Sequence, residues 1–192
     1  MRTSLVAAIP LICLALCGCG SRASAPSDAG PDGAPAADGP PGSWSFVSDD
    51  DGSSPAVVLQ ADGAVQNGAV WLKVVARGVP SLQGVAFRLS FDPQRVQVLE
   101  SEEGDVWALS SVKHVARFAT RKEGELWAGL GHLGQGSLVA QSETTLARVK
   151  LAVKGSGEAT IGFRAGHNMV LTTQGTSLKS GWLGGKLSPR AN

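Results

Sequence analysis

Apolar and polar residues alternate in short runs along most of this chain, and Gly, Asp, Pro and Ser separate the runs. A period of two is that of a strand with one buried and one wet face. No stretch keeps a helical period over three turns, so the pattern predicts an all-β domain. Residues 69–77 set Val70, Leu72, Val74 and Ala76 on one face and Trp71, Lys73 and Arg77 on the other. Residues 84–91 repeat this, with Val85, Phe87, Leu89 and Phe91 inward and Ala86, Arg88 and Ser90 outward, until Asp92-Pro93 stops the strand. Proline has no N–H to give to a ladder, and Asp favours turns. Residues 112–120 and 125–130 flank Arg121-Lys122-Glu123-Gly124, a loop that predicts a hairpin with Gly124 free to take a positive φ. Residues 146–153 alternate Ala147, Val149, Leu151 and Val153 against Arg148, Lys150 and Ala152. Shorter runs at 57–59, 96–99, 159–165, 169–172 and 185–187 complete a set of about nine strands. This spacing points to a two-sheet antiparallel sandwich, not a parallel α/β sheet.

The chain ahead of residue 44 has a different character. Arg2 followed by an apolar stretch over 5–16 reads as a secretion signal, too short to span a bilayer comfortably. Leu16-Cys17-Gly18-Cys19 resembles the lipobox of bacterial lipoproteins, with a Leu three before and a small residue just before the modified cysteine. Residues 1–18 are therefore the expected signal and Cys19 the expected lipidation site, which puts the mature chain on the cell envelope, at an outer membrane or the cell surface. Residues 19–43 are almost wholly Ala, Gly, Pro, Ser and Asp. They hold too little apolar side chain to offset the entropy of ordering, so they read as a tether that gives the domain reach.

All three cysteines, Cys13, Cys17 and Cys19, fall in or at the edge of the signal, which leaves the domain at 44–192 without disulfides or thiolate ligands. It must hold together by core burial alone. Two of the 17 Lys and Arg and three of the 16 Asp and Glu precede Trp44, so the domain carries a net charge of only +2. That balance excludes an ordinary nucleic-acid binder. Asp49-Asp50-Asp51-Gly52 lacks the spaced acceptors and closing Glu of a calcium loop and reads as a solvated entry loop.

The segment Gly84-Val85-Ala86-Phe87-Arg88-Leu89-Ser90-Phe91-Asp92-Pro93, with the aliphatic run 96–99 after it, resembles the cohesin family, as does Leu146-Ala147-Arg148-Val149-Lys150-Leu151-Ala152-Val153-Lys154-Gly155. The resemblance spans roughly residues 56–187. It implies a nine-stranded jelly-roll sandwich that binds a protein on one flat sheet face, typically a dockerin module. The same sandwich class includes carbohydrate-binding modules, so a polysaccharide is the alternative ligand.

Candidate chemistry narrows the choice. The outward Arg88, Arg117, Trp127, Arg148 and Lys150 are the residues expected to form a partner-binding face, because Arg and Trp combine apolar contact with oriented hydrogen bonding. A sugar platform would instead need coplanar rings, for which Trp71, Trp107, Trp127 and Trp182 are the candidates, with core packing the competing reading for Trp107. Ser110-Ser111-Val112-Lys113 matches a Ser-x-x-Lys pattern without its companion motifs, and His114, His132 and His167 have no ligand-like spacing. Glu100, Glu102, Glu103, Glu123 and Glu125 sit in no evident cleft. The sequence thus predicts no catalytic set, no metal site and no cofactor: the expectation is a lipid-anchored binding module.

Overall fold

The computed structural model describes residues 44–108, 112–134 and 142–189, all within the unit Ala37–Asn192. The signal, Cys19, the tether, Ser110 and Ser111 lie outside the described residues. In chain order the strands are β1 (Trp44–Ser48), β2 (Ala56–Ala61), β3 (Ala69–Arg77), β4 (Gly84–Phe91) and β5 (Val96–Glu103). A single helical turn, α1 (Asp105–Ala108), precedes the hairpin β6 (His114–Arg121) and β7 (Glu125–His132). Then follow β8 (Glu143–Val153), β9 (Ala159–Phe163), β10 (Met169–Leu171), β11 (Ser177–Leu178), β12 (Gly181–Leu183) and β13 (Gly185–Pro189).

Two sheets face each other. One has eight strands centred on β4, which pairs with β7 over Gly84–Ser90 on one side, while β6 lies beyond β7. The other side of β4 is shared between β10 at its start and β9 at its end, with β11, β13 and β1 continuing outward. The second sheet runs β12-β2-β3-β8-β5. The jelly-roll sandwich is as expected, but the described residues hold thirteen strands, not about nine. β1, β11 and β12 have no counterpart among the runs read from the alternation. β12 also runs parallel to β2, which breaks the purely antiparallel expectation.

The alternating apolar positions meet between the sheets. Leu59, Leu72, Val74, Leu151 and Val149 from one sheet pack against Phe87, Leu89, Leu126, Leu130 and Ile161 from the other, all essentially buried. Burial of this kind contributes about 1.5–3 kcal/mol per large side chain, which is what a domain without disulfides needs. Gly124 is required where it sits. Its φ is +79°, and a Cβ there would come within 2.1 Å of the Phe91 carbonyl oxygen. That close approach lets the Phe91 N–H donate to the Gly124 carbonyl at 2.9 Å and ties the β6–β7 hairpin to the end of β4. In β5 a register shift between Val98 and Glu100 turns Leu99 out to 47% exposure and lets the strand run on to Glu103, past the expected stop at residue 99.

Candidate functional site

The strands β6, β7 and β4 lie side by side, and their outward positions build one surface. On β4 these are Ala86 and Arg88; on β7, Trp127 and Gly129; on β6, Arg117, Ala119 and Arg121. Small residues at Ala86, Ala119 and Gly129 leave a shallow groove of about 500 Å³ beside Trp127, and His167 borders it. Trp127 stands opposite Arg88 on one neighbouring strand and opposite Ala119 on the other. The Arg88 guanidinium lies 4.0 Å from its ring centroid and that of Arg121 4.5 Å, reaching it from the strands on either side. Guanidinium over an indole is favourable at that range. The indole N–H donates to Glu125 Oε2 at 2.7 Å, and Glu125 also pairs with Arg164. The one carboxylate of β7 is thus consumed inside the domain.

The predicted face does not hold together as a single surface. Arg88, Arg117 and Trp127 come together as described, but Arg148 and Lys150 lie on β8, in the opposite sheet. The alternation tells outward from inward and does not say which sheet a strand joins, so it does not separate the two outer faces. Both residues are also engaged. Arg148 pairs with Asp62 and, at 2.9 Å, with Glu102; Lys150 reaches Glu100 at 3.3 Å; Lys73 reaches Asp62 at 3.1 Å. Trp71 lies among these cations, with Arg148 and Lys150 at 5.3 and 5.5 Å from its ring.

The tryptophans offer no common plane. Trp107 is fully buried, its indole N–H donating to the Leu146 carbonyl at 2.7 Å, and Trp182 packs edge-on to Phe163 at 5.1 Å. Trp71 and Trp127 belong to different sheets. The acidic entry loop is structural: Arg77 holds both oxygens of Asp50 at 2.7 and 2.8 Å, and Asp50 and Asp51 accept from the backbone N–H of Gly52 and Ser53. The hydrogen bonds from Arg77 bring the Asp50 carboxyl down to about 2. The acidic residues at Glu100, Glu102 and Glu103 pair with Lys150, Arg148 and His114.

The hairpin joins two residues that sequence spacing leaves apart. His114 stands directly opposite His132, their rings 6.5 Å apart, both beside Trp107. His132 is 7% exposed and neither ring nitrogen has a hydrogen-bond partner. Burial, and then the neighbouring His114, lower its pKa. The turn itself carried the signal, since pairing Arg121 with Glu125 fixes the register that sets His114 against His132. Among the described residues no group of three or more His, Cys, Asp or Glu is placed to hold a metal ion.

No family model and no curated protein matches the sequence. Solved structures do match. The second type II cohesin module from the adaptor ScaA scaffoldin of Acetivibrio cellulolyticus aligns at a TM-score of 0.58 with 14% identity, over 67% of this chain and 85% of that one. A cohesin module from the family 33 glycoside hydrolase of Clostridium perfringens aligns at 0.54 with 13% identity, over 76% and 97%. A chain from a type II cohesin-X-dockerin complex of A. cellulolyticus aligns at 0.55 with 12% identity, over 66% and 92%. The domain has the cohesin fold.

Proposed function

We propose that this domain is a non-catalytic docking module that takes a protein partner on the outer face of β6, β7 and β4. One observation carries the reading: a half-buried Trp127 stands beside a floor of small side chains, with arginines around it. Aromatic and Arg anchors over a water-excluding apolar floor are the composition of protein-interface centres. Solved relatives in fold include a cohesin bound to a dockerin, which supports a dockerin-type partner. A glycan reading finds less support, because the tryptophans face different ways. The expected lipid on Cys19 and the Pro-rich tether would present the module outside the cytoplasmic membrane, within reach of such a partner.

The test is capture from an envelope extract of the source cells by the full chain, with and without a calcium chelator. Trp127→Ala should abolish capture and Trp71→Ala should leave it intact. Equal capture by both variants would overturn the assigned face. Metabolic labelling with a fatty acid tests the anchor in parallel: label lost in Cys19→Ser supports it, and label retained removes it.

A further inference from the structure

We infer that the partner element seated on this face is acidic, with carboxylates that meet Arg88, Arg117 and Arg121. The inference rests on the docking reading above and adds the chemistry of the partner.

Charge is distributed differently on the two sheets. On the outer face of the five-stranded sheet Lys73, Arg77, Arg148 and Lys150 each contact a carboxylate of the domain itself. On the face of β6, β7 and β4, none of Arg88, Arg117 and Arg121 has an ion-pair partner among the described residues. The nearby Glu125 is already held by Trp127 and Arg164. The outer face of the five-stranded sheet is neutralised internally, and the β6, β7 and β4 part of the other sheet is left cationic.

A partner covering Trp127 must also cover the arginines packed on it. A guanidinium removed from water without a counter-charge loses its hydration uncompensated, whereas a carboxylate placed against it recovers much of that loss. A neutral or basic partner would therefore be rejected at the same contact that an acidic one uses.

The register gives the spacing. Arg117 and Arg121 flank Ala119 on β6, and Ala119 faces Trp127, which faces Arg88. Four residues along a strand and two strands across place the three Cα atoms roughly 10–13 Å apart, with Trp127 in the middle. The guanidiniums of Arg88 and Arg121 converge further, both lying within 4.5 Å of the Trp127 ring centroid. Carboxylates seven or eight residues apart on a helix, about 10–12 Å of rise, can reach the two arginines of β6. The apolar floor at Ala86, Ala119 and Gly129 favours a protein over an anionic glycan or a lipid headgroup, which would leave it uncovered.

The experiment places a benzophenone amino acid at the exposed Ala119 of the full chain, with the outward Gln97 of β5 as control, and cross-links in the envelope extract. Mass spectrometry of the cross-linked peptide then reads the charge of the partner segment directly. The expected result is a net acidic protein segment at 119 and not at 97. Its yield should fall about tenfold in Arg88→Ala/Arg117→Ala/Arg121→Ala, taking each exposed pair near the middle of its range. Yield should likewise fall in about 0.5 M NaCl. A neutral or basic segment at 119, insensitive to salt, overturns the acidic partner and leaves the docking face standing. A glycan or lipid adduct at 119, or protein adducts at 97 alone, overturns both.

Discussion

Gly129→Glu separates the docking face from the fold that carries it. Gly129 lies in the middle of β7, on the floor of the groove, opposite Arg117 on β6 and Ala86 on β4. A Cβ built there meets nothing within 4 Å, and the backbone is outside the left-handed region. The substitution therefore costs no steric strain. Replacing glycine inside a strand removes conformational freedom from the unfolded chain, about 0.5–1 kcal/mol in favour of the fold. For a domain of this size that is a rise in Tm of about 1–4 °C. The new side chain enters the groove and sets a carboxylate beside Arg117, so it takes up space a partner would use and repels an acidic one. Thermal unfolding by circular dichroism and capture from the envelope extract should then diverge, with Tm unchanged or slightly higher and capture reduced about tenfold or more, the loss expected for a like charge set into an interface. A Tm lowered by several degrees would refute the reasoning about space, and undiminished capture would refute the face.

Trp107→Ala should destabilise the domain by about 3–5 kcal/mol, since it empties a large core site and leaves the Leu146 carbonyl without its donor; urea unfolding measures this, and a loss below about 1 kcal/mol would contradict it. His132 is a base whose pKa is depressed below the ordinary 6.5 in the fold, so the unfolded chain binds its proton more readily. Stability should be complete above that value and decline as pH falls through the window beneath it, and His132→Phe should remove that part of the decline in unfolding curves at pH 5 and pH 7.5. Arg148→Ala, which breaks pairs to both Asp62 and Glu102, should cost about 1–2 kcal/mol of stability and Lys150→Ala at most about 1 kcal/mol, and both should leave partner capture unchanged, because both are spent on ion pairs of the other sheet. Reduced capture by either would return them to the binding surface.

The sequence carried the faces of the strands well and their assembly less well. Val70, Leu72 and Val74 on β3 and Val85, Phe87 and Leu89 on β4 are buried where the alternation puts them. The β6–β7 hairpin turns where Gly124 permits. Period two is a local property, set by the pleat, so it survives into the fold. Which strands share a sheet is decided by pairing between distant segments, such as β3 with β8 and β4 with β7, and leaves no local trace. For that reason the alternation does not separate Arg148 from Arg88, although the core lies between their sheets. The length of β5 differs for a related reason: a register shift between Val98 and Glu100 interrupts the alternation, and the strand runs on to Glu103. The His114–His132 pair was legible in principle, because the hairpin turn sets its register, but spacing along the chain alone hides it.

Amide hydrogen exchange of the full chain, free and with its captured partner, tests the central claim most directly. The account predicts slowed exchange confined to Gly84–Phe91, His114–Arg121 and Glu125–His132, the strands of the cationic face. Protection on Ala69–Arg77 and Glu143–Val153 with β6, β7 and β4 unchanged would contradict it, and would place the partner on the sheet whose charges the domain already neutralises.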